Sequence, residues 1–75
     1  MVELYRDHHI FVMTEPSAGE WVPLVRIMWL KHGKHEQADI IVTESFITGE
    51  QAEQYGLRVG KSWVDKRIES NSSPY

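Results

Sequence analysis

Phe46-Ile-Thr-Gly-Glu-Gln-Ala-Glu-Gln-Tyr-Gly-Leu-Arg-Val-Gly-Lys-Ser-Trp-Val-Asp-Lys-Arg-Ile68 decides the fold of this 75-residue chain. Thr48-Gly-Glu-Gln51 fits a capping box, and Ile47 with Ala52 fits the hydrophobic staple that often accompanies one, so a helix is expected to start at Thr48 and to reach Ile68. At about 100° per residue, Ala52, Gly56, Val59 and Trp63 fall on one stripe flanked by Tyr55 and Gly60, with Arg58, Ser62, Asp65 and Glu69 opposite. Each glycine inside a helix costs about 1 kcal/mol relative to Ala. Close approach of the helix backbone to a sheet would offset that cost, with Trp63 filling the far end. Leu57, Val64 and Ile68 form a second stripe, and the apolar arc is then wider than a helix on a small sheet needs.

The sheet must come from the residues before Phe46. Residues 8–14, His-His-Ile-Phe-Val-Met-Thr, are rich in β-branched and aromatic types and read as a strand that residues 4–6 could extend. Glu15-Pro-Ser-Ala-Gly19 reads as a loop. Residues 21–31 read as a second strand, because Pro23 with Val22, Val25 and Ile27 disfavours a helix; Pro23 belongs at its start or on an unpaired edge. His32-Gly33-Lys34-His35 is a hairpin connection and residues 36–43 a third strand. The expected fold is α+β: a three-stranded antiparallel meander followed by one C-terminal helix packed on one face. Residues 1–68 make one small domain, and Glu69-Ser-Asn-Ser-Ser-Pro-Tyr75, polar and without periodicity, is expected to be a disordered tail.

Alternation along the second strand sends Trp21, Val25, Ile27 and Trp29 toward the helix and Leu24, Arg26, Met28 and Leu30 the other way. That second face is more apolar than a solvated sheet face should be. Ile10 or Phe11 from the first strand and Ile41 from the third are expected to join it, unless Val2-Glu-Leu4-Tyr5 folds over it.

Composition narrows the function. A chain this short buries only about 60% of its unfolded surface, so its stability margin is thin. It has no cysteine, hence no disulfide, thiolate nucleophile or thiolate metal site. No apolar run approaches the roughly 18 residues of a membrane span, and Glu3 and Asp7 close behind Met1 do not make a secretory start; a cytoplasmic location is expected. The net charge of −3 lies within residues 1–20, where Arg6 stands against Glu3, Asp7, Glu15 and Glu20. A nucleic-acid binder usually carries a basic surplus, and this chain does not.

No constellation of reactive groups stands out. His32-x-x-His35 with Glu36, or His8-His9 with Asp7, supplies too few convergent ligands for zinc, and His8 and His9 point to opposite faces of a strand. Ser17, Ser45 and Ser62 have no nucleophile-elbow or triad context. Glu50 and Glu53 sit where a helix dipole favours acids. Gly60-Lys-Ser62 lacks the upstream glycine of a phosphate loop. No catalytic, cofactor or metal residues are assigned, and no cofactor is expected.

Thr48, Ala52, Gly56 and Leu57 have the spacing that opens many helix-turn-helix units, but Ser62 and Asp65 fall where a second helix needs apolar groups. Three strands leading through Phe46-Ile-Thr-x-x-x-Ala52 into a helix resemble the arm-type DNA-binding domains of phage and transposon integrases. That resemblance implies a sheet laid in the major groove, with Arg26, Lys31 and Lys34 as phosphate contacts. The wider pattern of Phe46-x-Thr48, Ala52, Gly56-Leu57 and Lys61-x-Trp63-Val64-Asp65 resembles small uncharacterised bacterial proteins of β-β-β-α form, over residues 8–68, and implies the fold without an activity. Excess apolar surface directs the function elsewhere, to a non-catalytic protein-interaction module that pairs with an unknown protein or with itself. Its candidate interface is Leu24, Met28 and Leu30 on the sheet with Leu57, Val64 and Ile68 on the helix.

Overall fold

Three two-residue turns fold residues 2–40 into one antiparallel meander. The computed structural model describes residues 1–71. Its strands are β1 (Val2–Tyr5), β2 (His8–Ser17), β3 (Glu20–Lys31) and β4 (Lys34–Ile40), in the spatial order β1-β2-β3-β4, and the chain closes with helix α1 (Gly49–Asn71). Arg6 and Asp7, Ala18 and Gly19, and His32 and Gly33 all take positive φ, as two-residue primed turns require. The closing pairs are Tyr5 with His8, Ser17 with Glu20, and Lys31 with Lys34.

The sheet therefore has four strands where the sequence predicts three. Val2-Glu-Leu4-Tyr5 does not cross the second face; it adds to the sheet edge beside β2. Glu15–Ser17 belong to β2 and do not form a loop, so only Ala18 and Gly19 turn. The last strand ends at Ile40, three residues short of expectation, and Ile41 is then 89% exposed. Residues 69–71 continue the helix that was expected to end at Ile68; the rest of the expected tail, residues 72–75, lies outside the described residues.

Pro23 lies inside β3, opposite Thr14 of β2. The Trp21 N–H donates to the Phe46 carbonyl at 2.7 Å, and Phe46 N–H returns the bond to Trp21 at 2.8 Å. Trp21, Pro23 and Val25 thus direct their backbone groups to the same side. Pairing with β4 stops at Val25 and Ile40 and resumes only at Phe46. Pro23 falls in that gap, where its missing N–H breaks no ladder bond.

The core lies between the sheet and α1. Ile10, Val12, Val25, Ile27 and Val64 are its buried centre, with Tyr5, Trp29, Ile40, Val42, Leu57, Trp63 and Ile68 packed around it. The buried line on the helix is Ala52, Gly56, Gly60 and Val64. A Cβ on Gly56 would stand 2.8 Å from Val12 Cγ1 and 3.1 Å from Pro23 Cβ; one on Gly60 would stand 2.7 Å from Ile10 Cγ2. The Thr48 hydroxyl accepts the Gln51 N–H at 3.1 Å, which caps the helix as expected. The staple does not form: Ile47 is 79% exposed, and Phe46 instead stacks on Tyr55 with ring centroids 5.0 Å apart.

β1 is tied to the helix by polar contacts. The Tyr5 hydroxyl donates to both Asp65 oxygens at 2.9 and 3.1 Å, Arg6 Nη1 donates to Asp65 Oδ1 at 2.7 Å, and Lys61 Nζ lies 2.8 Å from Glu3 Oε2. The hydrogen bond from Arg6, and then that from Tyr5, hold the Asp65 carboxyl below the usual range. The same bond to Asp65, with some desolvation, raises the Tyr5 phenol.

Two outcomes follow from this packing. Gly56→Ala and Gly60→Ala should each destabilise the protein by about 1–3 kcal/mol through overpacking, although Ala is the better helix former. Thermal unfolding checks this against Ser62→Ala on the exposed helix face, which should be neutral or stabilising. Because Asp65 is shifted down, its contribution is present above the ordinary value of 3.8 and is lost as pH falls below it. Because Tyr5 is shifted up, its contribution is lost as pH rises past 10.0. Urea unfolding midpoints of Asp65→Asn should therefore lie below wild type by a constant margin from pH 5 to 9, and that margin should shrink at both ends.

Candidate interaction surface

Strand alternation leaves the side of the sheet opposite α1 uncovered. Its outward positions are Val2 and Leu4 on β1, His9, Phe11, Met13, Glu15 and Ser17 on β2, Glu20, Val22, Leu24, Arg26, Met28 and Leu30 on β3, and His35, Gln37 and Asp39 on β4. Leu24 is 45% exposed, Leu30 63% and Met13 65%, and Val2, Leu4 and Phe11 are exposed beside them. Phe11, Met13, Leu24, Arg26, Met28, Asp39 and Ile41 line a shallow groove of about 590 Å³ along this face.

Within the apolar field Arg26 and Asp39 are register partners on β3 and β4. Arg26 Nε donates to Asp39 Oδ1 at 2.7 Å and Nη2 to Oδ2 at 3.3 Å, a two-pronged pair that suits a planar guanidinium. The pair raises the Arg26 guanidinium and lowers the Asp39 carboxyl, in each case mainly through the hydrogen bond. Arg26 is thus already neutralised by its neighbour.

The residues expected to form an interface divide into two groups. Leu24, Met28 and Leu30 share the open sheet face with Phe11 and Ile41, as anticipated; Ile10, the alternative to Phe11, is buried in the core. Val64 is fully buried against the sheet, and Leu57 and Ile68 pack around the core, so the second helix stripe is not a free surface. The reason is the rotation of the helix: its buried line runs Ala52, Gly56, Gly60 and Val64, where the expected stripe runs through Val59 and Trp63, so Val64 meets Ile10, Val12, Val25 and Ile27 of β2 and β3.

The expected phosphate contacts do not converge. Arg26 faces outward on β3, whereas Lys31, and Lys34 opposite it, have the parity of the helix side and stand at the β3–β4 turn. The geometry separates the three cations into two places.

A second cluster closes one end of the core. His8 stacks on Trp29 with centroids 5.5 Å apart, Trp29 on Trp63 at 5.5 Å, and the Arg67 guanidinium lies 4.2 Å from the centre of the Trp29 ring. His8 Nδ1 lies 2.8 Å from the Arg6 carbonyl, which can only accept, so Nδ1 carries the proton. Nε2 is buried, with less than 1 Å² of exposure and no hydrogen-bond partner among the described residues. The His8 ring borders an open pocket of about 370 Å³ that Asp7, Trp29, Leu30, Lys31, Arg67 and Ile68 also line. His9 lies on the outer face and His32 and His35 at the β3–β4 hairpin, away from His8. The sequence places His8 and His9 on opposite faces; that Trp29, Trp63 and Arg67 would gather over His8 depends on helix placement, which no local pattern encodes.

Comparison with protein-family models, with curated proteins and with solved structures finds no match to this chain. No helix among the described residues is long and apolar enough to cross a membrane.

Leu24 and Val64 stood together as expected interface residues, and the structure predicts opposite behaviour for them. In dilute solution Leu24→Ala should change stability by no more than about 0.5 kcal/mol. Val64→Ala should cost about 1–3 kcal/mol, as loss of two core methyl groups requires. Equilibrium urea denaturation of the two variants distinguishes them.

Proposed function

We propose that this chain is a small non-catalytic protein-interaction module whose working surface is the outer face of its sheet. The observation that carries the reading is the concentration of exposed large side chains there: Val2, Leu4, Phe11, Met13, Leu24 and Leu30 on one continuous surface. The strands are about 4.8 Å apart and rise about 3.3 Å per residue, so β2 and β3 over the span Val22 to Leu30, with β4 beside Val25–Leu30 and β1 beside Arg26–Trp29, present roughly 450 Å². A face of that size, apolar at most of its outward positions, is comparable with the largest apolar patch on a typical monomer, about 300–600 Å², a size that often marks contact surfaces. The chemistry of the face supports docking over turnover. Its centre consists of aliphatic, thioether and aromatic groups around one ion pair that is already closed, with Glu15 and Glu20 at the β2–β3 end and His35 and Gln37 on β4.

The test is photo-cross-linking in cells that express the protein natively. A benzophenone side chain at Leu24 should give a discrete adduct, and the same probe at Arg58, exposed on the opposite side of the molecule, should give none. Absence of an adduct at Leu24, or equal labelling at both sites, would reject the reading.

A further inference from the structure

The outer face runs into an acidic end. Beyond the rung of Val12 and Val25, toward the β2–β3 turn, stand Glu15, Glu20, Glu44, Glu50 and Glu53, and residues 12–25 and 41–56 include no Lys or Arg. Glu53 lies 3.8 Å from the N-terminal ammonium, and the Glu20 carboxylate accepts the Ser45 hydroxyl. Glu15 and Glu20 share the outward side of the sheet with Met13 and Leu24, and neither has a cation within ion-pair distance among the described residues. Arg26, the one Lys or Arg at the outward positions, is closed by Asp39 at 2.7 Å. The face is thus apolar along its length, neutral at its centre and uncompensated in negative charge at one end.

We propose that the occupant of this face is an amphipathic helix of a partner protein, apolar along one side and carrying Lys or Arg at one end, laid along β2 and β3 with its basic end at Glu15 and Glu20. The proposal rests on the reading of the outer face as an interface. Charge selects the chemistry of the partner. Nucleic acid or an anionic lipid surface brings only further negative charge to Glu15 and Glu20, whereas a cationic helix end closes them. Dimensions select the element. From Glu20 to Leu30, β3 runs about 33 Å, the length of a helix of about 22 residues; α1, which covers the inner face, has 23. A helix is about 10 Å across with its side chains. It therefore covers β2 and β3, where Phe11, Met13, Leu24 and Met28 stand, and leaves β1 and β4 at its flanks. Roughly 450 Å² on each side amounts to about 900 Å² in all, the class of weak, transient contacts. The chain's own N-terminal segment is excluded as the cover, since Val2 and Leu4 are part of the face. Arg26 and Asp39 enter the contact already partnered, which lowers the desolvation cost of burying them.

Fluorescence anisotropy on the purified chain tests this with three synthetic probes of about 22 residues. The first carries Leu along one helical face and Lys at one end. The second has the same apolar face with Glu in place of the Lys, and the third has the composition of the first with its periodicity scrambled. The first should bind at least about 10-fold more tightly than either of the others. The double variant Glu15→Lys, Glu20→Lys should invert the preference between the first two probes, and Leu24→Glu should weaken both. All three positions are exposed, and circular dichroism should show the variants folded. Equal binding of the basic and acidic probes would overturn the proposal, as would no binding of the basic probe at millimolar concentration or a double variant that keeps the wild-type preference. The cross-link at Leu24 separates this failure from failure of the interface reading. An adduct that maps to a helical, Lys- or Arg-ended segment of another protein and is lost in the double variant supports both. An adduct of twice the chain mass, or one that forms equally in the double variant, keeps the interface and overturns the basic helix. No adduct removes both.

Discussion

The approach of the helix backbone to the sheet at Gly56 and Gly60 is the constraint on which the rest of this structure depends. At those two turns of α1 the sheet side chains Ile10, Val12, Pro23 and Val25 occupy the space where a Cβ would stand. Two glycines in a helix interior cost about 2 kcal/mol together in helix propensity. The return is a thin core in which β-branched residues from β2 and β3 touch the helix main chain directly, with no intervening side-chain layer. A chain of 75 residues has few large apolar groups to spend on filling space. Bringing the layers together lets short ones suffice, and Trp29 and Trp63 pack against each other beside them with ring centroids 5.5 Å apart.

A close-packed helix must also be held at a fixed rotation, and the edge of the sheet does this. β1 is only four residues long, yet Glu3, Tyr5 and the turn residue Arg6 all reach the flank of α1, at Lys61 and Asp65. These bonds are exposed, and each contributes little in water. Their value is geometric: they set which residues face the sheet. The same contacts help to hold Arg6 at positive φ, a conformation that ordinarily favours glycine or asparagine, and the bond between His8 Nδ1 and the Arg6 carbonyl braces the turn from the other side.

Helix, cap and inner face were legible in the sequence because each has a short-range signature. Thr48 and Gln51 are three apart, the small residues are four apart, and β3 alternates between apolar sides around Arg26. The fourth strand was not legible. Val2-Glu-Leu4-Tyr5 is short, and its turn, Arg6-Asp7, contains no glycine to signal positive φ. The error at Val64 has another origin: at 100° per residue the line Ala52, Gly56, Gly60, Val64 and the line through Val59 and Trp63 lie close together, and only the packing on β2 and β3 selects the first. Two smaller misreadings have the same origin in tertiary contacts. Ile47 satisfies the spacing of a staple, but the bond pair between Trp21 and Phe46 holds the chain so that Phe46 turns to Tyr55 and Ile47 to solvent. Pro16 suggests a loop, yet it sits near the hairpin tip opposite Trp21, at a strand end where proline is tolerated.

The same accounting explains why the outer face stands apart. Once the helix has taken the whole apolar arc on one side, the chain has no further element among its described residues to cover the other. An outer face selected only for solubility would carry Lys, Glu and Thr at the positions held by Phe11, Met13, Leu24 and Leu30. Arg26 and Asp39 sharpen the point. A lone charge on that face would oppose burial, and a row of charges would forbid it. A closed pair at its centre does neither: it keeps the face soluble while open and leaves no unpaired ion there when covered, while Glu15 and Glu20 stand at the β2–β3 end. The two sides of β3 thus answer two different demands. Val25 and Ile27 meet a helix that is always present, and Leu24, Arg26 and Met28 form a surface compatible both with water and with burial.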